Sequence, residues 1–160
     1  HHFGSGVTAG ETGVVLQNRG TGFSLDPSHP NRLEGGKRPF HTIIPGFLTR
    51  DGKPVLSFGV MGGDMQPQGH VQLLSNMLDF GMDVQAAIDA PRFRILGGRE
   101  VAIEQGVPDG VLAELSRRGH RVARAGGFEG FGGGQAIRRL ESGAYVAGSD
   151  HRRDGCAVGF

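Results

Sequence analysis

The stretch Val55-Leu56-Ser57-Phe58-Gly59-Val60-Met61-Gly62-Gly63-Asp64-Met65-Gln66-Pro67-Gln68-Gly69-His70 decides the fold. Its first six residues form an apolar run of the length of a buried strand. The strand runs into Gly62-Gly63, and the pattern that follows is helical. Val71, Leu74 and Leu78 recur at helical spacing, and Leu73 and Met77 broaden the stripe. Pro67 suits a first helical turn, where its missing N–H costs nothing, and Gly81 suits the stop. A helix is therefore expected from about Pro67 to Phe80. Two glycines between a strand and a helix start leave backbone N–H groups pointing outward and unpaired. Such groups can stabilise the negative oxygen of a tetrahedral intermediate. A plain strand-to-helix turn has the same pattern, and on the residues alone that simpler reading carries more weight.

Upstream, Thr42 to Thr49 is a second apolar run, interrupted by Pro45 and Gly46, and Asp51-Gly52-Lys53-Pro54 joins it to the first as a β-hairpin. Pro45 argues for an edge or a bulge. Val14-Val15-Leu16 reads as a short strand. Asn18 to Pro39, rich in Gly, Pro, Asn and Ser, reads as a long surface loop, and loops of that length are often functional. Downstream, Asp83 is placed to cap a short helix to Ala90 with Val84, Ala87 and Ile88 as its apolar face, ended by Pro91. Arg92 to Ile95 and Val101 to Glu104 read as strands. Asp109 is expected to cap a third helix, with Val111, Leu112 and Leu115 toward the core and Gly119 closing it. Val122 begins another strand. Gln135 to Leu140 and Ala144 to Ala147 pair across Glu141-Ser142-Gly143. Antiparallel hairpins with helices between them give an α+β fold, helices layered on a sheet.

The 160 residues are 37% hydrophobic and 21% charged, a globular composition. Seventeen basic residues against sixteen acidic ones leave a net charge of +1, which does not indicate a nucleic-acid partner. No apolar run approaches the roughly 20 residues of a membrane helix. The single cysteine, Cys156, excludes an internal disulfide framework but not export, so the compartment stays open. The seven histidines show no metal-ligand spacing, and no metal or cofactor is expected. Thirty glycines imply tight turns and close backbone approaches. Lys37-Arg38-Pro39-Phe40-His41-Thr42 places two cations, a rigid proline and two hydrogen-bonding side chains at a strand entrance, which suits a carboxylate; an ordinary charged strand end is the simpler alternative. Gly126 to Gly134 lacks the Lys-Ser/Thr ending of a phosphate loop and reads as a flexible loop over a site.

Phe3-Gly4-Ser5-Gly6, Gly13-Val14-Val15-Leu16-Gln17-Asn18, Lys37-Arg38-Pro39, Met61-Gly62-Gly63-Asp64, Ala90-Pro91-Arg92-Phe93 and Gly148-Ser149-Asp150-His151-Arg152-Arg153-Asp154-Gly155 occur in this order. The ordered set resembles the small subunit of gamma-glutamyltransferases over essentially the whole chain, 1–160. The resemblance implies an αββα sandwich of the N-terminal-nucleophile hydrolase type, made as one precursor that cleaves itself. It implies a threonine at the new N-terminus that attacks an acyl carbonyl with its own amine as base. It further implies a large-subunit partner and a small-molecule amide substrate such as glutathione. Gly62 and Gly63 match the pair that supplies oxyanion amides. His1-His2-Phe3 opens without a methionine, so the start reads as internal, and the nucleophile is expected outside this chain.

The chain departs from the family pattern in its glutamyl pocket. Gly22 stands where an acidic residue holds the substrate ammonium, Arg19 where a glutamine is usual, and His41 and Thr42 replace the paired serines for the carboxylate. Met61-Gly62-Gly63-Asp64 replaces Pro-Gly-Gly-Ser, and His151 replaces a proline. These changes resemble the divergent branch that includes glutaryl-cephalosporin acylases and oxamate amidohydrolases. Hydrolysis or transfer of γ-glutamyl groups is the leading expectation. A dicarboxylic-monoamide acylase comes second, and a noncatalytic binding relative is the alternative from another class. Arg19, His41 and Thr42 are the expected substrate contacts.

Overall fold

The apolar run at 55–60 becomes an inner strand of a four-stranded antiparallel sheet in the computed structural model, which describes residues 4–159. His1, His2, Phe160 and the Phe3 that opens the first family-like motif lie outside the described residues. In chain order the elements are β1 (Gly46–Arg50), β2 (Lys53–Met61), α1 (Met65–Leu78), α2 (Val84–Asp89), β3 (Phe93–Gly97), β4 (Glu100–Ile103), α3 (Asp109–Arg117), β5 (Arg121–Arg124), β6 (Gly133–Arg139) and β7 (Tyr145–Ser149). Two compact units divide at Thr42/Ile43, and all of these elements belong to the second.

The main sheet has the order β1-β2-β6-β7. Alternation along β2 sends Leu56, Phe58 and Val60 to one face, where they join Ala136 of β6 under Leu73 of α1 and Val84, Ala87 and Ile88 of α2. Full burial of such side chains contributes about 1.5–3 kcal/mol each. The helix comes close because residue 69 is glycine: a Cβ there would lie 2.5 Å from Val60 Cγ1. The opposite face carries Phe47, Met61, Ile137 and Tyr145, each at least half exposed. Helices on one face and uncovered apolar side chains on the other make one α/β half of an αββα sandwich.

The second sheet has the order β3-β4-β5. β3 and β4 are antiparallel, whereas β4 and β5 are parallel because α3 crosses between them. Two glutamines on α1 border β3. Gln68 Oε1 accepts from Ile95 N–H (2.7 Å) and Gln72 Oε1 from Phe93 N–H (3.0 Å), while their amide nitrogens donate to the carbonyls of the same two residues. An i,i+4 spacing on a helix, about 6 Å, matches two residues along a strand.

Several expected boundaries shift. The helix expected from Pro67 starts at Met65, leaving Pro67 within the first turn, and Gly81 follows with φ +68°. Asp83 caps α2 as expected, its Oδ1 accepting from Ala86 N–H at 2.8 Å. Asp109 does not cap α3. It is the helix's first residue, Pro108 is the cap, and the carboxylate instead meets Arg124 Nη2 at 2.6 Å. No residue of α3 is buried, because three short strands give its Val111–Leu115 stripe too little surface to close against. Residues 42–45 lie outside β1, and Val15 makes only an isolated antiparallel bridge to Thr8. Gly133 and Gly134 are not part of a loop over a site: they are buried in β6.

Candidate functional site

The turn between β2 and α1 is built from backbone geometry that only glycine adopts without strain. Gly62 and Gly63 have φ +132° and +59°. A Cβ on Gly62 would lie 2.9 Å from the Gly132 Cα, and one on Gly132 would lie 2.2 Å from the Met61 carbonyl oxygen, so two glycine stretches press together here. The carbonyls of Gly62 and Gly63 accept from Met65 N–H (3.1 Å) and Gln66 N–H (3.0 Å), which starts the helix. Among the described residues, neither Gly62 N–H nor Gly63 N–H donates to a carbonyl. Two amides at the positive end of a 14-residue helix suit a developing oxyanion.

His70, which the sequence reading passed over, steadies β2 just before that turn. Its Nε2 accepts from Val60 N–H at 3.0 Å, so the ring is neutral with its proton on Nδ1. Burial lowers its pKa below the ordinary 6.5, and its ring meets Phe58 edge-on at 5.1 Å.

Behind the turn lies a buried group of two arginines and two acids, each side chain at most 3% exposed. Asp150 Oδ2 accepts from Arg92 Nη2 (2.7 Å) and Gly134 N–H (2.6 Å); its Oδ1 accepts from Arg152 N–H (2.9 Å) and Arg152 Nη1 (3.1 Å). Glu104 accepts from Arg152 Nε (2.6 Å) and Nη2 (2.5 Å) and from Arg92 N–H (2.7 Å). Further guanidinium donors of the two arginines reach the carbonyls of Ile88, Ala90 and Phe131. The charges cancel, all five guanidinium donors of Arg152 are matched and both carboxylates are held by several donors, the condition under which buried ions are tolerated. Burial pushes the Asp150 carboxyl up, but the Gly134 and Arg152 amides and the Arg92 charge outweigh it and hold the pKa below 3.8. The group fixes the 131–134 stretch that packs on Gly62. The sequence reading holds Arg92, Asp150 and Arg152 within family-like motifs and Glu104 as a strand end, because no local pattern pairs residues 58 positions apart.

In the first unit, Arg19–Gly22 forms a single 3₁₀ turn at the edge of a cavity of about 380 Å³. Arg19, Thr21, His29, Asn31, Phe40 and Thr42 line it together with Gly22. The Asn31 side chain holds two walls: Nδ2 donates to the Gly22 carbonyl (2.7 Å) and Oδ1 accepts from Phe40 N–H (3.2 Å). His29 Nδ1 accepts from Asn31 N–H (3.0 Å), which leaves its ring proton on Nε2. Of the expected substrate contacts, Arg19 and Thr42 meet in this cavity, and His41 is not among its lining residues. Lys37, also a carboxylate candidate, is turned to the Pro30 carbonyl (2.5 Å). Asn31 and His29 were not foreseen; their signal is the Asx- and turn-forming chemistry of a loop rich in such residues.

The profile of the family described as gamma-glutamyltranspeptidase matches residues 1–160. The glutathione hydrolase-like YwrD proenzyme of Bacillus subtilis is 43% identical over 99% of this chain and 31% of its own length. The oxamate amidohydrolase proenzyme of Klebsiella pneumoniae is 37% identical over 100% and 31%. The crystal structure of cephalosporin acylase from Bacillus halodurans superposes with a TM-score of 0.78 and 49% identity, covering 96% of this chain and 29% of that one. The chain thus spans about a third of the length of these relatives.

Proposed function

Because the chain belongs to the gamma-glutamyltranspeptidase family, we propose that it is the C-terminal, small-subunit portion of an enzyme that cleaves γ-glutamyl amides such as glutathione. The observation that carries this reading is the Gly62-Gly63 turn, whose two N–H groups donate to no carbonyl among the described residues. In the proposed reaction a threonine outside this chain, freed as an N-terminus by self-cleavage, attacks the amide carbon with its own amine as base. The carbonyl oxygen takes up negative charge and is held by the Gly62 and Gly63 amides; removing one such donor typically costs about 10²–10³ in kcat. The amine leaves with a proton, and water or an acceptor amine then resolves the acyl-enzyme.

The partner in this reading is the large subunit of the same precursor. Relatives named as proenzymes support it, and so does the sheet face bearing Phe47, Ile137 and Tyr145. Monomeric proteins rarely leave contiguous apolar surface of this kind open. A second reading, an acylase for dicarboxylic monoamides, is favoured by the Arg19 cavity, whose lining contains no carboxylate.

The test is production of the complete precursor and of a variant in which the threonine upstream of His1 is alanine. The wild type should separate into two chains and release the amine from γ-glutamyl anilides, and the variant should do neither. A precursor that stays in one piece and turns over no amide would establish the noncatalytic alternative.

A further inference from the structure

β2 loses one of its two neighbours before it reaches the glycine turn. β1 pairs no farther than Gly46 opposite Phe58, whereas β6 continues along β2 to Gly134 opposite Val60 and Gly133 opposite Met61. Val60 and Met61 therefore have a strand on one side only. On the other side the Val60 N–H donates to a side chain, His70 Nε2, at 3.0 Å. Gly69 makes that reach possible: a Cβ there would lie 2.5 Å from Val60 Cγ1, so only its absence lets α1 bring the next residue to the strand backbone. Phe58 holds the ring from the side, edge-on at 5.1 Å. α1 has no charged side chain, and Asp64 and Asp79 lie beyond its two ends. The charged residues of β1 and β2 are Arg50 and Lys53, at the hairpin turn and so at the opposite end of β2 from Val60. Burial is what lowers the pKa of the ring below 6.5.

Neutral imidazole offers an acceptor at Nε2, whereas imidazolium carries a donor there and would meet the Val60 N–H donor to donor. Two residues beyond Val60, Gly62 is pressed against Gly132, where a Cβ would lie 2.9 Å from the Gly132 Cα. The turn is thus located by backbone packing on one side and, where β2 has no strand, by His70. We infer that neutral His70 is the positioning residue that fixes where the Gly62 and Gly63 amides stand. Resting on the amide-cleaving reading above, this hold acts on the oxyanion and not on substrate affinity, so it is expressed in kcat and not in KM. Above pH 6.5 the ring is neutral and the hold complete; it is lost as pH falls through the folded pKa.

The complete protein is isotope-labelled at the methionine carbonyl carbon and the glycine nitrogen, which singles out the Met61–Gly62 peptide, the one Met-Gly pair of this chain. Its amide signal should move together with the His70 ring signal between pH 7.5 and 5. It should stay in place in His70→Gln, whose side-chain oxygen accepts from Val60 N–H without titrating. In His70→Leu, kcat for a γ-glutamyl anilide should fall about tenfold or more with KM within about twofold, a part of the 10²–10³ that one oxyanion donor contributes. His70→Gln should recover most of that loss, and the ratio of wild-type to His70→Gln kcat should decline below pH 6.5 in step with the ring. A Gly62 amide signal indifferent to the His70 titration, a His70→Leu kcat close to that of the wild type, or a His70→Gln no better than His70→Leu overturns the inference. A protein that turns over no amide, but whose Gly62 signal follows the ring, would remove the amide-cleaving reading and leave His70 as the residue that positions the turn.

Discussion

Asp150→Asn changes the shape of the buried ionic group almost not at all and its chemistry completely. Asp150 presents four acceptor positions to four donors, two from backbone N–H groups and two from guanidinium nitrogens. An asparagine keeps one oxygen and turns an NH₂ toward the donors on the other side, so two hydrogen bonds are lost. It also leaves Arg92 and Arg152 buried with Glu104 as their one anion in the group. Two bonds to a charged group at about 1.5–3 kcal/mol each give about 3–6 kcal/mol, in line with the about 3–5 kcal/mol usual for breaking a buried ion pair. The assay is native-state hydrogen exchange at Asp150 N–H and Glu104 N–H. Both amides donate to carbonyls that the substitution leaves in place, those of Gly134 and Arg92. They therefore report opening of the region and not the loss of an acceptor. Exchange should accelerate by about two to three and a half orders of magnitude. The double variant Asp150→Asn/Arg92→Met, which removes one charge of each sign, should recover part of that loss. Acceleration below tenfold, or a double variant whose cost is the sum of the two single ones, would refute the claim that the four charges act as one unit.

On the proposed reading, Gly63→Val, which relieves its left-handed strain by turning the backbone and with it the 63 N–H away from the oxyanion, should lower kcat of the complete enzyme by about a hundredfold. A Cβ at position 63 meets nothing within 4 Å, so the cost to folding is confined to about 1–2 kcal/mol of left-handed backbone strain. Unchanged circular dichroism with normal turnover would take Gly63 out of the site. His70 should make stability fall as pH falls. Its folded pKa lies below 6.5, so the stabilisation by the neutral ring is complete above that value and declines as pH drops from 6.5 toward the folded pKa. In His70→Gln, unfolding measured between pH 7.5 and 5 should lose that component of the slope; identical slopes in the two proteins would contradict it.

What the sequence made legible follows the range of the interactions involved. The hairpin at 51–54, the strand into Gly62-Gly63, the helix over 65–78 and the Asp83 cap all rest on neighbours within a few residues. Period-2 and period-3.6 patterning reads such features directly. Asp109 failed as a cap because Arg124, fifteen residues away, competes for its carboxylate. The stretch 126–134 was read as loop because glycine content marks flexibility and close packing alike; only the contact of Gly132 with Met61 separates them. Among the candidate site residues, Arg19 and Thr42 stand out as departures from the family pattern, whereas the Asn31 clamp and the Arg92–Asp150 pairing depend on tertiary contacts.

The paired glutamines of α1 have a consequence for assembly. An uncovered strand edge is a template on which any other extended chain can grow. Gln68 and Gln72 present to β3 the donors and acceptors of two residues of a neighbouring strand, yet they do so from a helix, which cannot propagate the sheet. The β3 border is thereby terminated. In the precursor proposed above, the broad face around Phe47 and Tyr145 stays exposed until the large subunit meets it, and this border then adds no second adhesive surface through which half-formed copies could stack.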